Sequence, residues 1–167
     1  MNTKTLGLAA LAGAAAVVIT ACASLGTPDP QWADYKTWTK VTEGKVTTGD
    51  PTGVLGGVHE GAEGYRDIFV NNTGVDTLMG SAPYNYPIGT VLVKEQYPTE
   101  AAWAAQKKPN LTIMVKVADD SSNPMTNWAW SPSYTKAAGA SNFCAGCHAV
   151  ALQNDFVFTN GDFLASQ

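Results

Sequence analysis

The chain has 167 residues, 45% of them apolar, 14% charged and 10% aromatic, with a mean hydropathy of −0.07. That length and apolar content suit one globular domain with its own core and argue against wholesale disorder. Ten basic against fourteen acidic residues give a net charge of −4 and a pI near 5.0, and Arg66 is the one arginine, so the clustered basic surface of a nucleic-acid binder is missing.

The amino-terminal residues read as a targeting segment. Lys4 supplies a positive start, and Leu6 to Ile19 is an apolar run too short and too weakly hydrophobic for a membrane span. Ile19-Thr20-Ala21-Cys22 has the form of a bacterial lipobox, in which small residues precede a cysteine that becomes the acylated first residue. The expectation is a lipoprotein signal peptide over residues 1–21, lipidation at Cys22, a tether over 22–30 and a single domain over 31–167. The competing reading is an ordinary signal peptide cleaved nearby, with Cys22 incidental. Both place the mature chain in the bacterial periplasm, touching the membrane through a lipid anchor at most.

In chain order, Trp32, Tyr35 and Trp38 predict a short amphipathic helix over Trp32 to Lys40. Gly44 to Gly64 reads as loop. Tyr65 to Asn71 alternates as a strand, with Arg66, Ile68 and Val70 on one face and Tyr65, Asp67 and Phe69 on the other. Asn72 to Gly80 fits a short helix, and Ser81 to Ile88 a proline-punctuated turn. Gly89 to Tyr97 is a second strand, Val91, Val93 and Glu95 alternating with Leu92 and Lys94. Pro98-Thr99-Glu100 starts a helix that runs to Gln106. Leu111 to Ala118 is a third strand, with Leu111, Ile113, Val115 and Val117 inward and Thr112, Met114 and Lys116 opposite. Asn127 to Ser131 is a fourth, carrying Trp128 and Trp130. Ser141 or Asn142 caps a helix that ends near Gln153, and Asp155 to Thr159 is a last short strand. Runs of strands with few helices imply an α+β fold with an antiparallel sheet, not a four-helix bundle.

The helix near the carboxyl end carries Cys144-Ala145-Gly146-Cys147-His148. C-x-x-C-H is the attachment motif of c-type haem: two thiols add across the porphyrin vinyl groups and the following imidazole ligates the iron. A helical turn brings all three to one side. Three other readings compete. A structural zinc site needs four ligands, and His59 is the only other histidine in the chain. A thioredoxin-like pair normally opens a helix near the start of a βαβ unit. A Cys144–Cys147 disulfide leaves His148 without a reason. Haem c as cofactor, with His148 on the iron, also agrees with export, since bacterial c-type haem is attached outside the cytoplasm.

The order of segments resembles the cytochrome P-460 family, which includes the cytochromes c′-beta. The matching stretches are Tyr65-Arg66-Asp67-Ile68-Phe69-Val70-Asn71, Tyr86-Pro87-Ile88-Gly89-Thr90-Val91-Leu92-Val93-Lys94-Glu95, Ile113-Met114-Val115-Lys116, Asn127-Trp128-Ala129-Trp130, the haem motif, and Asp155-Phe156-Val157-Phe158-Thr159. Together they span roughly Trp32 to Thr159. The resemblance implies chemistry on small nitrogen species. In the P-460 enzymes a lysine after the Pro/Gly turn is bonded through nitrogen to the porphyrin edge, and such proteins oxidise hydroxylamine with nitric oxide towards nitrous oxide. Lys94 falls at the matching place. Among Val91, Leu92 and Val93 a partly buried amine loses its proton more readily, which carbon–nitrogen bond formation needs. The alternative is an edge-strand lysine reaching solvent.

The resemblance also implies a distal carboxylate, from the segment before the haem motif, as a proton relay in the hydroxylamine enzymes. No Asp or Glu occurs between Asp120 and Asp155. That departure favours the c′-beta type, in which aromatic side chains cap a five-coordinate iron and neutral gases such as nitric oxide bind. Tyr86 and Phe143 are candidate caps, though either fits an ordinary core position. Arg66 matches a family position near the pocket or a haem propionate, or forms a structural ion pair. A sixth ligand from His59, Met79, Met114 or Met125 would make a plain electron carrier instead. The expected partners are a small nitrogenous ligand and an electron-transfer protein; a homodimer is implied by the resemblance alone.

Overall fold

The structure, a computed structural model, describes residues 27–43, 65–107 and 109–166. The signal segment, Cys22, most of the tether and the glycine-rich stretch with His59 lie outside the described residues. Five strands, β1 (Thr39–Lys40), β2 (Arg66–Val70), β3 (Val91–Gln96), β4 (Asn110–Lys116) and β5 (Trp128–Ser131), form one sheet in sequence order, every neighbour antiparallel. Helix α1 (Val75–Met79) connects β2 to β3, α2 (Glu100–Ala104) connects β3 to β4, and α3 (Asn142–His148) and α4 (Gly161–Ala165) follow β5. The fold is α+β around an antiparallel sheet with a few short helices, and not a helical bundle. Among the described residues no helix is long and apolar enough to cross a membrane.

Strand periodicity sends alternate side chains to opposite faces, and here both faces are covered. One face carries Ile68, Leu92, Met114, Trp128 and Trp130, which pack with Ala145 of α3, Phe156 and Leu164 of α4. The other carries Phe69, Val91, Val93, Leu111, Ile113 and Val115, roofed by Trp32 and Tyr35. Burying each such side chain contributes about 1.5–3 kcal/mol, so the second layer is a core in its own right. This corrects the expected inward and outward sides of β4: Met114 and Lys116 are as buried as Ile113 and Val115, whereas Val117, past the end of the strand, is 48% exposed.

The expected helix over Trp32 to Lys40 is only a 3-10 turn at Tyr35–Thr37, followed by β1. Tyr35 donates from its hydroxyl to the buried Glu95 at 2.6 Å and Trp32 Nε1 donates to the Tyr134 carbonyl at 2.7 Å, so sheet contacts rather than helical hydrogen bonds fix this segment. The helix at Glu100 starts where expected, with Thr99 Oγ1 accepting from Ala102 N at 3.1 Å. The expected strand over Asp155 to Thr159 is instead a turn. Asp155 and Phe156 have φ of 50° and 68°, a left-handed backbone that no strand contains. Helix α4, capped by Asn160, has no counterpart in the sequence expectations.

Candidate haem site

Helix α3 begins at Ser141, whose extended backbone and hydroxyl cap the first turn by accepting from Cys144 N at 3.2 Å. After His148 the chain continues in 3-10 turns through Asn154. The cap and the three-residue spacing put Cys144, Cys147 and His148 along one wall of a cavity of about 680 Å³. That volume lies within the usual range of ligand pockets, about 300–1,000 Å³. The opposite wall is the sheet, where β2, β3 and β4 place Ile68, Lys94 and Thr112 in one cross-strand row and β3, β4 and β5 place Leu92, Met114 and Trp130 in the next. Segment 136–141 adds Lys136, Gly139 and Ala140.

His148 is held on three sides. Its ring lies 4.5 Å from the Trp130 ring and 5.0 Å from that of Phe158, centroid to centroid. Nδ1 lies 2.7 Å from the Phe156 carbonyl oxygen. A carbonyl only accepts, so Nδ1 carries the proton and Nε2 keeps a lone pair. Burial pulls the His148 pKa down to about 4; the Phe156 carbonyl opposes that shift and the positive charge of Lys94 adds to it. The imidazole is therefore neutral at pH 7, the form that binds a metal. Lys94 is close enough to be felt by His148 and lines the same cavity.

The residues fit a c-type haem. Cys144 and Cys147 are free thiols, half-buried on the cavity wall. The one nitrogen of His148 not already committed is the one that ligation needs. The disulfide reading finds no support in these free thiols. Nor does a zinc site, since no group of three or more His, Cys, Asp or Glu among the described residues could hold a metal ion by itself.

Of the other residues singled out by sequence, Arg66 and Phe143 line the cavity, Arg66 buried on β2 and Phe143 67% exposed on α3. Tyr86 is not among the lining residues. It lies in the core, tilted 13° from Tyr84 and edge-on to Trp128, and burial raises its hydroxyl above the ordinary tyrosine range. Met114 lines the cavity; Met79 and Met125 do not, and both are exposed. Sequence reasoning missed Trp130 and Phe158 as the rings flanking His148, and it missed the Phe156 carbonyl. The aromatic residues were visible in the sequence, but a backbone acceptor leaves no mark there.

The Cytochrome P460 family model matches residues 32–159, a span that takes in all five strands, the described cavity wall and α3. No curated protein matches the chain. The chain belongs to the cytochrome P460 family and is thereby a c-type haem protein.

Proposed function

We propose that this chain is an exported mono-haem cytochrome, attached through Cys144 and Cys147 and ligated by His148, that acts on hydroxylamine or nitric oxide at a five-coordinate iron. The observation that carries the reading is the convergence of both thiols, the neutral imidazole and Lys94 on one cavity. A haem held there supplies a redox-active iron with room for a small ligand. The chain's own part is to keep His148 in one tautomer through the Phe156 carbonyl and to clamp its ring between Trp130 and Phe158. Leu92, Met114 and Val157 keep the cavity largely apolar, which favours small, weakly hydrated ligands. Lys94 is the candidate for a nitrogen bond to the porphyrin edge. Export, a lipid anchor at Cys22 and a redox protein as electron partner complete the proposal.

A second reading, nitric oxide binding without a cross-link, is favoured by the absence of Asp and Glu from the lining among the described residues. Mass spectrometry of a protease digest of the haem-loaded protein separates the two. A Lys94 peptide that travels with the Cys144–Cys147 haem peptide supports the cross-linked cofactor and makes hydroxylamine oxidation the activity to assay. A free Lys94 peptide moves the protein to gas binding. Cysteines without haem overturn both. Carbon monoxide binding to the ferrous protein tests the open position, and refusal would point to a sixth protein ligand, Met114 on the cavity lining or His59.

A further inference from the structure

We propose that Asp155, held by Lys116, is a positioning residue for His148: the buried ion pair fixes the left-handed turn that delivers the Phe156 carbonyl to the ligand's Nδ1. The inference rests on His148 being the iron ligand, as read above.

The Lys116 side chain is 1% exposed and that of Asp155 11%, and Lys116 Nζ stands 2.7 and 2.6 Å from the two carboxylate oxygens. The same carboxylate accepts from Trp128 Nε1 at 3.2 Å and from Tyr86 N at 2.9 Å. Three elements therefore hold one side chain: the end of β4, the start of β5 and the turn before β3. A buried ion pair is by itself weak support for stability, because desolvation offsets most of its attraction. Its location gives this one another role.

Asp155 and Phe156 both have positive φ, 50° and 68°, and neither is glycine. Side chains disfavour that region, so two such residues in succession persist only where the surroundings impose the conformation. The Asp155 carboxylate supplies such an external hold, and the buried Phe156 ring supplies a second. The carbonyl aimed at His148 belongs to the residue immediately after the held one. A ligating histidine takes its ring orientation and basicity from the partner of its other nitrogen. The chain of cause runs from Lys116 and Trp128 to Asp155, to the Phe156 carbonyl, and then to Nδ1–H. None of Lys116, Asp155 and Tyr86 is among the residues lining the cavity.

The test uses the haem-loaded full chain, read by the ferrous iron–histidine stretching band and the reduction potential. Asp155→Asn and Lys116→Gln are expected to move the band to lower frequency and raise the potential, because a loosened Nδ1–H bond makes a poorer donor to iron. Trp128→Phe removes one donor to Asp155 and should shift both in the same direction by less, which keeps the test alive if the first two variants do not fold. Leu164→Ala, in the same core but outside the hydrogen-bond network, should lower the melting temperature and leave band and potential in place. A band and potential unmoved in every ion-pair variant that folds would reduce Lys116–Asp155 to a structural pair and overturn the proposal. If the unmodified protein binds carbon monoxide, so that the iron has an open position, yet shows no iron–histidine band, the assignment of His148 fails first, which is a different result.

Discussion

Glu95 offers a quantitative test of the two-layered sheet. It is fully buried on the face away from the cavity, and its carboxylate accepts from Tyr35 Oη at 2.6 Å and Tyr97 Oη at 2.7 Å and pairs with Lys36. In Glu95→Gln the amide oxygen still accepts from Tyr35, but without charge the bond loses about 1 kcal/mol. Tyr97 has a second acceptor, Gln106 Oε1 at 3.1 Å, so it turns there at little cost. Lys36 is 52% exposed and returns to water, forfeiting at most about 1 kcal/mol. The expected loss is about 2 kcal/mol. Glu95→Ala leaves the Tyr35 hydroxyl buried without its acceptor and opens a void, raising the loss to about 4 kcal/mol. At about 3–4 °C per kcal/mol for a domain of this size, thermal melts followed by circular dichroism resolve the two. The haem absorption spectrum should stay unchanged in both. Equal melting temperatures for Glu95→Gln and the parent would refute the bonding argument; a spectral shift would refute the view that the rest of the sheet holds β3 in register when Glu95 is lost.

Three further outcomes follow from the helices and the cavity. Ser141→Ala removes the cap of α3 and should cost about 1 kcal/mol, seen as a drop of a few degrees in the melt and slower haem loading, since the frayed turn carries Cys144. Gly161→Ala sets a Cβ 2.0 Å from the Gly80 carbonyl oxygen, so the α1–α4 contact must open at a cost of about 1–3 kcal/mol, whereas Gly146→Ala meets nothing within 4 Å and should stabilise α3 by about 0.5–1 kcal/mol; melts of opposite sign check the pair. Ala140→Glu places a carboxylate on the cavity lining; in a protein whose Lys94 is cross-linked it should raise hydroxylamine turnover by about 10²-fold or more, and no change would sink the view that a missing proton relay limits the site.

The strands β2 to β5 were legible from their apolar and aromatic content, and the period of two put Arg66 and Ile68 on one face of β2; that this is the face of Lys94 comes from the pairing of Ile68 with Lys94 across β2 and β3. The α3 cap and the C-x-x-C-H motif were legible for the same reason: both are local. What escaped depends on partners distant in sequence. Trp32 and Tyr35 have helical spacing, yet their partners are Tyr134 and Glu95, 102 and 60 residues further along the chain. Asp155-Phe156-Val157-Phe158-Thr159 has the composition of a strand, but the Asp155 carboxylate bonds to Lys116 and Trp128 and the backbone turns left-handed to reach them. Tyr86 follows the same pattern: a tyrosine just before the Pro/Gly turn can cap a pocket or fill a core, and only the position of Trp128 decides.

Lys94 and Glu95 show how the two layers bear on one another. They are neighbours of opposite charge, and the strand sends one into the cavity beside His148 and the other into the layer with Tyr35 and Tyr97. A slip of β3 by one residue would exchange them, placing a carboxylate near the imidazole and an ammonium group against Phe69 and Tyr35. Neither site tolerates the exchange: Glu95 has two phenols and Lys36 as partners where it is, and the slipped strand would also expose Val91 and Val93 to the cavity. The amino-terminal turn at Tyr35, which touches neither cysteine nor His148, thus helps to set which side chain of β3 faces the haem motif. Its hydrogen bond to Glu95 makes the register costly to change, and the register decides whether the cavity holds an amine or an acid.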